Sequence, residues 1–294
     1  MGFSFGSISH LTLAAMLVNI GVAGCVPWRT GSSASQSIVV NGVARYYVVH
    51  VPHSYRAGVS TPLLILLHGH GSSTARMERS TGMSRKADKE GFIAVYPVGL
   101  GDPSSWRVFD GPTGRSEDVV FIDRLIDRLE QLFNIDRKRI YVAGHSNGGT
   151  LAYRLGVELG AKIAGIGVSE ALLARELAVD SASIAVTLVA FHGKADNVVP
   201  YEGRPGGRDS RGGFLSAPAS AESWARRDGC DGAHDAVIGD GNIVKRTFSG
   251  CVSGSAVVLV TITNLTHRWA GELPEDGISA TDEMWAVFKA HPKQ

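Results

Sequence analysis

The chain has 294 residues, of which 44% are hydrophobic and 19% are charged, so it can bury a complete core within one domain. Lys and Arg total 29 against 28 for Asp and Glu, and this near balance excludes the basic footprint typical of proteins that bind nucleic acid or polyanionic surfaces. We therefore expect a small or neutral partner and no nucleic acid.

The first residues have the composition of an export signal. No charged side chain precedes Arg29, and Leu11 to Val22 form an apolar run too short for a comfortable membrane span. We interpret residues 1–24 as a signal peptide and expect a secreted, extracytoplasmic protein. The Val-Ala-Gly-Cys pattern that ends at Cys25 is typical of a lipobox, so Cys25 is a candidate for a lipid that would tether the protein to a membrane. The uncharged n-region leaves an ordinary cleaved signal equally open.

Residues 25–36 are small and polar and predict a flexible tether, and residues 37–294 form the predicted catalytic domain. Within this domain, apolar runs alternate with amphipathic helical stretches, which predicts an α/β fold with a mostly parallel central sheet flanked by helices. Helices are predicted after the N-cap Ser116 and from Ser279 through Phe288. The runs predicted as buried strands are Leu63 to Leu67, Phe92 to Tyr96, Ile140 to Ala143, Thr187 to Phe191 and Val257 to Ile262.

Residues Gly144 to Gly148 spell the motif G-x-S-x-G. Gly2 to Gly6 also match it, so the motif alone is weak evidence in a chain with 36 glycines. The later copy lies between the predicted strand Arg139 to Ala143 and a helical stretch at 150–159, and a strand-turn-helix of this kind exposes a nucleophilic serine. We therefore predict Ser146 as the nucleophile, with a glycine-rich connection without chemistry as the alternative.

A serine nucleophile needs a histidine base, and the histidine needs an acid that holds its tautomer. Asp196 lies just past the carboxyl end of the strand Thr187 to Phe191 and is the predicted acid. His267 lies just beyond the strand Val257 to Ile262 and is the predicted base. The other downstream candidates follow no buried strand or fall in polar or terminal segments, where exposed side chains are expected: Asp180, Asp228, Asp231, Asp235, His234 and His291.

The tetrahedral intermediate of such a reaction needs two backbone donors, an oxyanion hole. We predict the N–H of Asn147 as one donor and the N–H of His70, in the glycine-rich loop after the first strand, as the other. The imidazoles of His68 and His70 are expected to serve local packing or hydrogen bonding rather than catalysis.

Two loop-like segments, Gly99 to Arg115 and Glu202 to Phe214, are predicted to shape a substrate pocket. Trp106 and Trp269 are candidates for its apolar wall, with packing on the core as an equal alternative. Three arginines of the second segment are expected to lie in a solvated loop rather than to meet an acidic substrate: Arg204, Arg208 and Arg211.

Cys230 and Cys251 are the cysteines outside the N-terminal segment. In the oxidising compartment of an exported protein they would tend to pair, with two buried free thiols as the alternative. Two cysteines without clustered histidines indicate no metal site, and we expect neither a metal nor an organic cofactor.

Many short segments match one family in the same order. They are Leu67-His68-Gly69-His70-Gly71, Asp88-Lys89-Glu90-Gly91-Phe92, Tyr96-Pro97, Glu117-Asp118-Val119, Phe121-Ile122, Asn134-Ile135-Asp136, Gly144 to Gly149, His192-Gly193 with Asp196, Val199-Pro200-Tyr201, Gly229-Cys230, Gly250-Cys251, and His267 with Trp269. On these residues, from about Arg45 to His291, the chain resembles the polyhydroxybutyrate depolymerase, feruloyl esterase and acetyl xylan esterase group of α/β-hydrolases.

The resemblance implies the α/β-hydrolase fold, a triad of Ser146, Asp196 and His267, and a disulfide between Cys230 and Cys251. It implies a serine esterase that forms an acyl-enzyme with feruloyl, acetyl or short-chain hydroxyalkanoate esters, as small molecules or linked to polysaccharide. Family members often carry Cys where this chain has His70, so a disulfide there is not expected. No polymer-binding module follows the last predicted helix, which favours soluble esters over crystalline polyester.

Two alternatives to an esterase remain at this stage. The same triad and fold could serve a serine peptidase, since fold does not fix substrate. The same cleft could also bind ligands without catalysis, in a surface lipoprotein. The sequence does not indicate an oligomeric state.

Overall fold

The computed structural model describes residues 28–109, 116–178, 184–206 and 212–294. The predicted signal peptide, residues 1–24, and Cys25 lie outside these residues, as do Asp180, Arg208 and Arg211. In the part of the chain that the structure describes, no helix combines the length and the apolar character needed to cross a membrane.

Twelve strands and six α-helices make up the described fold. The strands are β1 (Ser32–Val40), β2 (Val43–Val51), β3 (Thr61–Leu67), β4 (Ile93–Pro97), β5 (Ile135–His145), β6 (Gly165–Ser169), β7 (Thr187–Gly193), β8 (Arg204–Pro205), β9 (Gly213–Phe214), β10 (Gly232–Ile238), β11 (Ile243–Ser249) and β12 (Val257–Ile262). The helices are α1 (Thr74–Thr81), α2 (Met83–Glu90), α3 (Glu117–Leu132), α4 (Asn147–Glu158), α5 (Ala217–Arg227) and α6 (Ala280–Ala290).

Ten of the strands form one sheet in the order β1-β2-β4-β3-β5-β6-β7-β12-β11-β10. The six central strands, β4 to β12 in this order, run parallel to one another, and the outer strands pair antiparallel. The five strands predicted from apolar runs are β3, β4, β5, β7 and β12, and all are confirmed. The prediction of a mostly parallel sheet in a single domain is therefore correct.

The side chains of the parallel strands alternate between two buried clusters, one on each face of the sheet. Leu63, Ile65 and Leu67 pack with α3, α4 and α5 on one face. Leu64 and Leu66 pack with α1, α2 and α6 on the other. Ser116 caps α3 by accepting from the N–H of Asp118, as its position predicted.

Two sequence expectations are wrong in this region. The predicted tether, residues 25–36, is too long, because β1 begins at Ser32 and pairs along its length with β2. β1 is an edge strand that backbone hydrogen bonds hold in the sheet and whose side chains are mostly exposed. Its sequence therefore has no apolar pattern from which a strand could be predicted. Asp228 is not a solvated loop residue but fully buried, where it pairs with Arg227 and accepts from the N–H of Val186.

Candidate active site

Ser146 lies in the turn between β5 and α4 with a φ of 54°. A non-glycine residue in this left-handed region is strained, and strain of this kind is typical of functional turns. The turn also brings α4 very close to the end of β3. A Cβ on Gly148 would lie 2.4 Å from the carbonyl oxygen of Leu67, so only glycine fits there.

The structure brings the three predicted triad residues together at the carboxyl ends of the parallel strands. His267 Nε2 lies 2.8 Å from Ser146 Oγ, and His267 Nδ1 lies 2.7 Å from Asp196 Oδ2. Since a carboxylate only accepts, Nδ1 carries the proton, and Nε2 is left to accept from the serine hydroxyl. Asp196 and His267 follow β7 and β12, which are neighbours in the sheet.

The Asp196 carboxylate is well supplied with donors. Its Oδ1 accepts from the N–H groups of Val198 and Val199 at 2.8 and 2.9 Å. Burial alone would raise the pKa of Asp196, but the hydrogen bonds from His267 and the Val199 N–H outweigh it and hold the pKa below its usual range. Asp196 is therefore an anion at neutral pH.

The histidine beside the nucleophile is uncharged. Burial and the adjacent His267 imidazole lower the pKa of His145 to about 3. Their ring centroids lie 4.9 Å apart. A neutral His145 adds no positive charge next to the base, so the imidazolium of His267 meets no charge repulsion from it.

His68 joins two loops instead of facing a substrate. Its Nε2 accepts from the Gly99 N–H at 3.1 Å, and its Nδ1 donates to the carbonyl of Gly69 at 2.8 Å. Burial lowers the pKa of His68, which agrees with this neutral tautomer. The side chain of His70 is exposed. The His68 imidazole thus has the local hydrogen-bonding role that was expected, whereas the role of the His70 imidazole and the His70 and Asn147 backbone donors stay predictions.

Beside Ser146 the structure contains a cavity of about 500 Å³. Its apolar wall consists of Trp106, Val108, Phe109, Leu172, Val198, Val199 and Phe214. The indole N–H of Trp106 donates to the carbonyl of His68 at 2.7 Å, which fixes the ring in place. Trp106 therefore lies where the sequence predicted a pocket wall.

Trp269 does not line this cavity but takes the alternative of packing on the core, although it borders a smaller cavity next to His267. The ring is 3% exposed and packs in the core with α6. Its indole N–H donates to Thr281 Oγ1 at 3.0 Å. The two tryptophans looked equivalent in sequence, and only their different partners in the fold distinguish them.

The two arginines of the cavity rim that the structure describes are engaged by protein groups. Arg204 donates to the carbonyl of Val198, and Arg107 pairs with Glu117 at 3.3 Å. Arg204 lines the cavity as well, so the expectation of a purely solvated loop is only partly correct for this residue.

Two side chains of the site were not predicted from the sequence. The side-chain amide of Asn147 accepts from the N–H of Trp106 at 2.7 Å and donates to its carbonyl at 3.1 Å. Glu170, directly after β6, is fully buried and accepts from the Gly193 N–H at 3.1 Å. A prediction of β6 would have pointed to Glu170, because its neighbours β5 and β7 also end in site residues.

Cys230 and Cys251 form a disulfide, as expected. The bond joins the segment after α5 to the segment between β11 and β12. The alternative of two free thiols is thereby excluded.

One group among the described residues has metal-ligating atoms close together, namely Glu170, His192 and Asp196, within 4.8 Å of one another. These atoms already have protein partners. Asp196 accepts from His267, and His192 Nε2 donates to the Val199 carbonyl at 2.9 Å. To bind a metal ion through Nε2, His192 would have to lose its proton and its hydrogen bond to Val199.

Comparison with known proteins gives one family. The family model described as esterase PHB depolymerase matches residues 46–202, just over half of the chain. NocK of Nocardia uniformis subsp. tsuyamanensis, whose name includes the word esterase, is 28% identical over 83% of this chain and 76% of its own length. Feruloyl esterase B of Piromyces equi is 29% identical over 76% of this chain, which spans only 42% of that protein.

Among solved structures, the acetyl xylan esterase from Aspergillus awamori superimposes with a TM-score of 0.64. The alignment covers 87% of this chain and 99% of that one at 13% identity. At so low an identity the likeness concerns the fold alone.

Proposed function

The chain belongs to the esterase PHB depolymerase family and is a carboxylic ester hydrolase, and from this premise we propose that it works through Ser146, His267 and Asp196 by way of an acyl-enzyme. The observation that carries the proposal is the hydrogen-bonded chain from Ser146 Oγ through the His267 ring to Asp196, at 2.8 and 2.7 Å. This is the arrangement that activates a serine hydroxyl.

In the first half of the reaction, Ser146 Oγ attacks the ester carbonyl while His267 Nε2 takes its proton. Asp196 holds the ring and stabilises the imidazolium. The backbone N–H groups of Asn147 and His70 are the proposed donors to the oxyanion. His267 then returns the proton to the leaving alcohol, and the acyl group stays on Ser146.

In the second half, a water molecule replaces the alcohol. His267 removes a proton from the water as it attacks the acyl carbonyl, and the proton then passes to Ser146 Oγ as the acid leaves. Every proton transfer in this cycle uses groups of the chain and water, without a cofactor.

The size and the aromatic lining of the cavity favour a substrate with an aromatic acyl group. Its volume of about 500 Å³ exceeds what an acetyl group fills, and three of its walls are the rings of Trp106, Phe109 and Phe214. We therefore place feruloyl esters, free or linked to polysaccharide, ahead of acetyl and short-chain hydroxyalkanoate esters. The name of one relative, feruloyl esterase B, lies within the same substrate range.

We also propose that the protein works outside the cytoplasm, after removal of residues 1–24 and with or without a lipid on Cys25. The Cys230–Cys251 disulfide supports this location, because such bonds form and persist in oxidising compartments.

The Ser146→Ala variant tests the nucleophile. We expect it to lose hydrolysis of p-nitrophenyl butyrate and methyl ferulate to below about a thousandth of the wild-type rate, since no other group can form the acyl-enzyme. Ser60→Ala, at an exposed serine outside the site, is the matched control and keeps full activity. Equal rates in wild type and Ser146→Ala would overturn the assignment. A higher kcat/KM for acetylated xylan than for methyl ferulate would overturn the substrate preference.

A further inference from the structure

Glu170 has a backbone conformation that few residues adopt. Its φ is 51°, and among the described residues only three other non-glycine residues have a positive φ: Asn41, Ser146 and Ser253. Glu170 shares this strain with the nucleophile, at the end of the neighbouring strand β6. Strained residues are retained where the surrounding structure or the function requires them.

The carboxyl group of Glu170 is completely buried. Its Oε2 accepts from the Gly193 N–H, but its Oε1 has no donor within hydrogen-bond reach among the described residues. The nearby acidic group is Asp196, with carboxyl oxygens of the two residues within 4.8 Å of each other. A buried carboxylate oxygen without a donor is costly, whereas a protonated oxygen facing a carboxylate is itself the donor.

Among the charged and titratable groups that the structure describes around Glu170, no cation pairs with it. His192, on β7, is 3.8 Å away, and burial lowers its pKa, so it stays neutral. Arg268, in the segment after β12, pairs with Asp276 instead. Asp196 is the remaining neighbour, and two adjacent buried carboxyls without a cation between them do not both ionise.

Of the two acids, Asp196 is the one that keeps its charge. It accepts hydrogen bonds from His267 and from two backbone N–H groups, while Glu170 accepts one. Burial raises the pKa of Glu170 well above its usual range, and the neighbouring Asp196 raises it further, against a smaller opposite effect of the Gly193 N–H.

We propose that Glu170 holds a proton at catalytic pH and donates it in a hydrogen bond to the Asp196 carboxylate, as a positioning residue for the Asp196–His267 pair. The inference rests on the proposed function, since it assigns Asp196 the role of catalytic acid. The hydrogen-bonded series would then run from Ser146 through His267 and Asp196 to Glu170. Its members lie at the ends of β5, β12, β7 and β6, four strands that are consecutive in the sheet. A neutral donor fixes the orientation of Asp196 and leaves its negative charge available to the imidazolium.

Two substitutions separate hydrogen bonding from charge. In Glu170→Gln, the amide oxygen can accept from Gly193 and the amide NH₂ can donate to Asp196, so we expect kcat within about twofold of wild type. In Glu170→Leu the donor is lost, and we expect kcat to fall about tenfold or more with KM unchanged, as for loss of a hydrogen bond to a charged group. Glu176→Gln, at an exposed glutamate on the same segment, is the matched control.

The pH profile distinguishes the protonated state from its alternative. An ionised Glu170 would favour the imidazolium form of His267, and replacement by neutral Gln would move the acid limb of kcat/KM to lower pH. With a protonated Glu170 the acid limb of Glu170→Gln coincides with that of the wild type. A shifted limb, or equal kcat losses in the Gln and Leu variants, would contradict the proposal.

Infrared difference spectroscopy tests protonation without turnover, and so does not depend on whether Glu170→Leu folds. The wild-type minus Glu170→Gln spectrum at neutral pH should contain the carbonyl stretch of an un-ionised carboxylic acid. A carboxylate band in its place would overturn the proposal. If Ser146→Ala stays active, the proposed function fails, whereas this band still reports the state of Glu170.

Discussion

At the scale of single residues, Asn147 connects binding to chemistry. It opens α4 directly after Ser146, and its side-chain amide makes two hydrogen bonds with the backbone of Trp106. The loop that forms one wall of the cavity is thereby attached to the nucleophile turn. The backbone N–H of the same residue is the proposed oxyanion donor, so one residue serves two functions through different atoms.

The Asn147→Ala variant separates these two functions, because it keeps the backbone N–H and removes the side-chain amide. Two neutral hydrogen bonds contribute about 1–3 kcal/mol together, and we expect their loss to raise KM for methyl ferulate about tenfold while kcat changes little. Steady-state kinetics measures both constants. Asn242→Ala, whose side-chain amide donates to the exposed Asp240, serves as the control. A fall in kcat at constant KM would contradict the positioning role of the amide.

The sequence was sufficient to predict which residues meet at the ends of the parallel strands. Ser146, Asp196 and His267 each follow an apolar run, and parallel strands place such ends at one edge of a sheet. The partners of Glu170, Asn147 and Trp269 could not be predicted in the same way. Their contacts join segments far apart in the chain, and no local pattern encodes them.

At the scale of elements, the elbow between β5 and α4 depends on close contact with β3. At Gly148 an added Cβ would meet the carbonyl oxygens of Leu67 and His68 at 2.4 and 2.6 Å. Backbone atoms of a central strand cannot move aside as a flexible side chain can. The second glycine of the G-x-S-x-G motif is therefore required by packing.

We expect Gly148→Ala to destabilise the fold by about 1–3 kcal/mol, as overpacking of a tight interior does, and to reduce activity by displacing Ser146. The free energy of unfolding from urea denaturation gives the first effect, and hydrolysis of p-nitrophenyl butyrate gives the second. Gly58→Ala is the matched control, since a Cβ there meets nothing within 4 Å and the backbone is not left-handed. Equal denaturation midpoints for the two variants would show that the contact yields more easily than its geometry indicates.

Strands with an unbroken apolar run were predictable, whereas others were missed for identifiable reasons. β6 contains Gly165 and Gly167, which dilute its apolar run. At Gly167 a Cβ would lie 2.6 Å from Met284 Sδ, so the packing of α6 leaves no space for a side chain. β1 and β10 are largely exposed at the two edges of the sheet, and backbone pairing rather than apolar burial defines them.

At the scale of the whole molecule, the disulfide strengthens the end of the sheet where β10, β11 and β12 run antiparallel. It links residues 21 positions apart, and a loop of this size contributes about 3 kcal/mol by restricting the unfolded chain. We expect the double variant Cys230→Ser/Cys251→Ser to lose about that much in urea denaturation. Its kcat/KM at 25 °C should match the wild type, because neither cysteine lines the cavity. Loss of activity in the folded variant would show that the bridge also shapes the site.

The wide spacing of the triad along the chain has a consequence for folding. Ser146 and His267 are 121 positions apart, and Asp196 and His267 are 71 apart. Contacts of such long sequence separation form late, after the entropy of closing long loops has been overcome. We therefore expect nascent or partly folded chains to lack hydrolytic activity, and regain of activity during refolding to report completion of the central sheet.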